Sequence, residues 1–222
     1  EQLPLFTAAP QFSQILNQSK ALYQQHFWPL HDATNRQVLN EQWSLIKNLE
    51  AQAVQRLVAL TRTEWSKEKI RIDISYHSKL ERPYCTTQGG VHVVMDSGNN
   101  AQPPGNWIEL LFHESSHHLI FPSDCYVSDV IDQVADSTGI AVPRGLWHAY
   151  LFYFSGVVTQ ELLPSQGITD YELYMVRKRP FHWFFPLLSQ NLPRYVSKTD
   201  SLDKCTQQIL QGWQERQKRK KQ

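Results

Sequence analysis

The chain has 222 residues and carries few cysteines: only Cys85, Cys125 and Cys205. Three scattered thiols exclude a zinc knuckle and a disulfide framework. A Cys85–Cys125 pair with Cys205 free, or three separate thiols, both fit the sequence. There is no excess of charge of either sign. The net charge is +1, which argues against a dedicated nucleic-acid binder. No apolar run reaches the roughly 18 residues that a membrane span needs. The most apolar segment, Leu146 to Val158, is shorter and contains His148. No internal repeat is present. The chain opens Glu1-Gln2-Leu3-Pro4-Leu5, without Met and without a signal peptide. With Gln common and Lys sparse through the body, this reads as an exported bacterial protein of the periplasm whose leader has been removed.

What the sequence does have is material for a core. It contains 7 Trp, 9 Tyr and 10 Phe, and 41% of its residues are apolar, so disorder is not expected outside the ends. Most of the chain reads as helix. Phe12, Ile15, Leu16 and Leu22 recur at helical spacing between Gln11 and His26. A longer stripe from Asp32 to about Trp65 includes Val38, Trp43, Leu45, Ile46, Leu49, Val54, Leu57, Val58 and Leu60. Residues Ile70 to Tyr76 alternate with period two, as a half-buried strand does. A second strand is expected in Thr86 to Met95, and a turn-rich stretch from Asp96 to Gly105. A short helix from Ser128 to Ser137 and an apolar helix from Arg144 to about Leu163 follow, the latter ended by Pro164. Asp170 to Leu210 reads as helix broken at Pro180, Pro186 and Pro193. The expected class is α+β, mainly helical. The organisation is an N-terminal helical layer (1–66), a central unit (67–165), a C-terminal helical part (166–212) and a basic tail (213–222), all in one compact domain. The tail's Arg216, Lys218, Arg219, Lys220 and Lys221 read as a solvated helix end rather than a nucleic-acid site.

One pattern carries chemistry: His113-Glu114-Ser115-Ser116-His117, an HExxH pentapeptide. Two His four residues apart on a helix lie nearly one above the other, so both rings can grip one ion. From its place beside the first His, Glu114 can reach a water at an open metal position and take its proton. The flanks, Trp107 to Phe112 and Leu119 to Phe121, make a helix that is apolar on most sides and therefore buried. Asn106 is the expected N-cap and Pro122 the expected stop. Burying two His and a Glu is costly without partners, and zinc is the partner that fits.

A small sheet followed by an HExxH helix, with a second helix giving a further ligand, resembles the zincin metallopeptidases over roughly residues 70 to 163. The extension Gly-x-x-His after the motif is missing: His118-Leu119-Ile120-Phe121-Pro122-Ser123 stands there instead. The chain is thus more similar to the gluzincin side, whose third ligand comes from a separate helix. The run Pro143-Arg144-Gly145-Leu146-Trp147-His148-Ala149 also resembles uncharacterised bacterial HExxH proteins. The resemblance implies a small twisted sheet packed on the active-site helix, with a further helical layer. It also implies that Val91 to Met95 is an edge strand open to an extended peptide.

A catalytic zinc takes three protein ligands and keeps one position open. His148, in its apolar setting, is the first candidate for the third ligand. Glu161 is the gluzincin-like alternative, and Asp132 and Asp136 are others. His92 is an outside possibility, and His118 points elsewhere. The oxyanion formed in hydrolysis needs a second donor. The candidates are Tyr150, Tyr153, Tyr171, Tyr174, Arg177 and His182, with Tyr153 and Arg177 preferred. The expectation is a zinc-dependent hydrolase, a metallopeptidase acting on peptide or other amide substrates. Its metal is held by His113, His117 and His148, and Glu114 is the general base. The rival reading is a non-catalytic binding module or a structural zinc protein.

Overall fold

A computed structural model describes residues 10–78, 83–86, 90–98, 105–120 and 125–220. Pro122, Phe121, Lys221 and the middle of the turn before the HExxH helix lie outside the described residues. The described residues begin with two helices that nearly join, α1 (Pro10–His26) and α2 (Trp28–Thr61). Pro29 sits in the first turn of α2, where its missing N–H is not needed. The backbone bonds continue across the junction, Phe27 N–H to Tyr23 O at 3.0 Å and His31 N–H to Phe27 O at 3.1 Å. α1 matches the expected Gln11–His26 segment, whereas α2 begins before the expected Asp32 start, because backbone bonding continues across the junction. Arg62 ends α2 in the left-handed conformation, its N–H on Val58 O.

The expected packing role holds for only part of this layer. Val38, Leu49, Ala53, Leu57 and Leu60 are buried. Phe12, Ile15, Leu16, Leu22 and Trp43 are exposed. Most of the buried residues of α2 lie in its C-terminal half, and Val38 joins the core from its first half.

Three strands follow: β1 (Arg71–Ser75), β2 (Tyr84–Thr86) and β3 (His92–Asp96). They form a mixed sheet in the order β1-β3-β2. β1 runs parallel to β3, with Ile72 opposite Val93 and Ile74 opposite Met95. β2 is antiparallel to β3, with Cys85 opposite Val93. This corrects the expectation for Val91 to Met95. The strand is central, paired with β1 along His92–Asp96 and with β2 at His92–Val94, and buried from Val93 onward.

The site helix α3 (Asn106–Ser115) has every residue buried. Its N-cap is Gly105 rather than Asn106. At φ +92° and with Leu163 and Tyr171 within 2.6–2.8 Å of any Cβ, the position tolerates only glycine. The Trp107 indole N–H donates to Asp96 O at 3.1 Å, fixing the start of α3 to the end of β3. A single 3-10 turn (His117–Leu119) follows α3. Next come α4 (Tyr126–Thr138), α5 (Leu146–Leu162), a 3-10 turn (Leu163–Gln166), the short α6 (Tyr174–Arg177), α7 (Phe185–Val196) and α8 (Leu202–Lys220). The expected helical stretch from Asp170 to Leu210 is therefore three helices separated by turns. The apolar α5 is the hub of the fold, packed on α2, α3, α4, α6 and α7.

The fold is mainly helical with one small mixed sheet, consistent with α+β. All three cysteines are free thiols, so the Cys85–Cys125 pair does not form.

Candidate metal centre

The pentapeptide spans a change of helix type. α3 is regular through Ser115. At Ser116 the backbone N–H is shared between Phe112 O at 3.1 Å and His113 O at 3.2 Å, and His117 falls in the tighter 3-10 turn. The expectation of both His on one regular helix is modified accordingly: His113 is held inside α3 and His117 at its unwound end. The two rings still meet, with centroids 5.0 Å apart and planes at 82°.

α3 and α5 run antiparallel. Gly105 faces Leu163, Glu109 faces Gly156, and His113 stacks on Phe152 with centroids 3.6 Å apart. This arrangement carries His148, one turn before Phe152, to the HExxH motif. His113 Nε2 lies 3.0 Å from His148 Nε2. One ligand nitrogen from each of His113, His117 and His148 lies within 4.8 Å of the others, so the group can hold a metal ion. Two nitrogens bound to a tetrahedral ion at about 2.0–2.1 Å stand about 3.3 Å apart, close to the observed His113–His148 separation.

The protonation states suit ligation. Burial, then the neighbouring His117 and His148, push the His113 pKa well below its usual value. Burial lowers His148 to about 3 and His117 to about 4. All three imidazoles are neutral at pH 7, so each ring keeps one nitrogen lone pair that a metal ion can take. His113 also hydrogen-bonds the Leu151 backbone, and its Nδ1 is 3.4 Å from Ser155 Oγ. A carbonyl acceptor there keeps the proton on Nδ1 and turns Nε2 toward His148, as outer partners of metal-bound His commonly do.

Glu114 Oε2 is 3.4 Å from His117 Nε2. Burial raises the Glu114 carboxyl to about 7, a value suited to exchanging protons near neutrality.

Other candidates lie elsewhere. Glu161 accepts from Arg56 at 2.7 Å. Asp132 and Asp136 are exposed on α4. His92 sits on β3 with Nε2 3.0 Å from Asp73. His118 Nε2 accepts the Ser66 N–H at 3.1 Å, and its ring meets Trp65, so it does point away.

Among the proposed donors, Tyr153 lies on another face of α5, lining a surface hollow with Val157 and Gln160. Burial raises its hydroxyl to about 12. Arg177 on α6 approaches Glu172 at 3.9 Å. Neither makes a hydrogen bond or ring contact with the three imidazoles. Tyr150 bonds Thr206 at 3.0 Å, and His182 approaches Arg179 O at 3.3 Å.

Glu109, the one acid in the apolar run before the motif, carries no sequence motif of its own. It is fully buried and accepts from the Tyr171 hydroxyl and, at 2.9 Å, from the Tyr174 N–H. Its other oxygen has no hydrogen-bonding protein partner. Burial raises its carboxyl to about 7. The signal that could have found it is an acid on the same face as His113, one turn earlier. Ser155, Phe181 and the ring contacts of Trp147 were also missed, since no periodicity marks them.

No protein family, curated protein or solved structure matches this chain.

Proposed function

We propose that this protein is a zinc-dependent hydrolase of the zincin type, acting on peptide or other amide bonds. The observation that carries this reading is the convergence of three neutral imidazoles from two helices beside a buried carboxyl. Three nitrogen ligands and a nearby acid suit zinc with one position left for water, whereas a structural zinc is closed by four protein ligands. Among the described residues no fourth His, Cys, Asp or Glu joins the group. When bound, the ion would supply Lewis acidity and lower the pKa of a coordinated water toward neutrality.

The chain's own residues supply the rest. His113, fixed through Leu151 and Ser155, and His148 hold one pair of lone pairs at short range. His117 completes the set from the 3-10 turn. Glu114 takes the proton from the attacking water and returns it to the leaving nitrogen. Burial of Glu114 and of the His rings excludes competing solvent and strengthens each electrostatic contact.

The test is direct. Purified protein should retain about one zinc per chain through dialysis. Glu114→Gln should keep the zinc while lowering peptide or amide hydrolysis by about 10²–10⁴-fold. Zinc binding with no hydrolysis in either protein would favour a structural or binding role. A chain that takes up no zinc would end the reading.

A further inference from the structure

The turn between α6 and α7 holds two non-glycine residues in the left-handed region, Arg179 at φ +60° and Phe181 at φ +51°, on either side of Pro180. Positive φ is rare for a bulky side chain and persists only where surrounding structure over-determines it. Such strain gathers at functional sites, and this turn lies against the metal centre. The Phe181 ring sits 5.0 Å from the His148 ring at 55°, and 5.9 Å from Phe152. Its edge occupies the place where a Cβ on residue 145 would stand: a Cβ at Gly145 would come 2.8 Å from Phe181 Cε1. The turn is closed by Phe184 N–H to Phe181 O at 2.9 Å and His182 N–H to Arg179 O at 3.2 Å.

His148 needs such support. His113 has Leu151 and Ser155 to set its ring. For His148 the only hydrogen-bond contact among the described residues is with His113, at Nε2. Its orientation is set by rings instead. Trp147 stacks on it at 4.8 Å and 9°, and Phe181 presses from the C-terminal part of the chain.

We propose that Phe181 is a positioning residue, a ring braced by a left-handed turn that fixes the angle at which His148 meets His113 and His117. The proposal rests on reading those three His as metal ligands, but it makes a separate statement about how one of them is held. Removing an outer partner of a metal ligand commonly lowers affinity about 10–100-fold. Here the lost partner is packing rather than a hydrogen bond.

The experiment pairs zinc competition titration with NMR of the His148 ring protons, in the wild-type chain and in Phe181→Ala, Phe181→Gly and Phe181→Leu. Alanine and glycine should both weaken zinc binding about tenfold or more, although glycine relieves the backbone. Leucine, which keeps apolar bulk, should recover most of the affinity. In wild type, ring protons of His148 should show fixed proximity to Trp147 and Phe181. In Phe181→Ala they should average among orientations.

Wild-type affinity and a fixed His148 ring in the alanine variant would overturn the proposal. If the wild-type chain takes up no zinc, the metal reading fails. The bracing is then judged by ring order alone: averaging only in the alanine variant supports it, and an unchanged ring refutes it. Thermal melts of each variant separate misfolding from loss of bracing.

Discussion

Glu109 offers a clean handle on the cost of burying an acid beside the site. Its carboxyl shifts from 4.5 to about 7, chiefly through burial, against the lowering effect of the Tyr171 and Tyr174 donors. For an acid, a raised folded pKa means that the native state binds more protons than the unfolded chain between those two values. Stability contributed by this group is therefore full below about pH 4.5 and falls as the pH rises toward 7. At 1.36 kcal/mol per pKa unit, the loss is about 3 kcal/mol. The perturbation is Glu109→Gln, which keeps the shape and an acceptor for Tyr171 and Tyr174 but cannot ionise. The assay is urea unfolding of both proteins from pH 4 to 8 in the presence of a chelator. The difference between them cancels the shared titrations of Glu114 and the three His. Wild type should lose ground on the variant by about 3 kcal/mol over this window and level off above it. Parallel stability curves across the window would refute the reasoning, as would a wild type that gains on the variant as pH rises.

Other consequences can be measured as readily. Gly105→Ala should destabilise by about 3 kcal/mol, because it combines a left-handed backbone with a clash against Tyr171 and Leu163; denaturant midpoints check it. His148→Ala should reduce zinc affinity by at least about 100-fold while leaving the fold intact, since one of three ligands is lost; equilibrium dialysis and circular dichroism report the two effects. Thiol titration of the denatured, unreduced chain should find three free cysteines. In the folded chain the half-buried Cys85, whose thiol burial raises to about 11, should react slowly at pH 8.

Periodicity makes part of the fold legible: the α5 helix and the existence of β1 follow from spacing, although burial along β1 does not alternate and Ile72 is exposed. The motif's interval brings its two His rings together, but His117 lies in the 3-10 turn rather than on the regular helix. His148 was reachable because an apolar helix rarely keeps a His without a partner. What remained illegible depends on contacts distant in sequence. Strand order is set by pairing across the sheet, so nothing in Val91 to Met95 itself says that β1 and β2 flank it. The unwinding at Ser116 reflects bonding choices at a helix end that residue identity leaves open. The exposed stripe of α1 shows the reverse failure: Ile15, Leu16 and Leu22 have core spacing but are exposed. Nearness along the chain favours Tyr153 and charge favours Arg177, but neither property determines which face of a helix a side chain takes.

The antiparallel match between α3 and α5 makes the spacing along α5 an exacting quantity. Leu163, Gly156 and Phe152 meet Gly105, Glu109 and His113 in turn. One residue added between Gly156 and Phe152 would rotate everything before it by about 100° relative to everything after. The helix would then have to sacrifice either the niche that admits the Glu109 carboxylate or the alignment of His148, so length changes within this stretch should be far less forgiving than point substitutions.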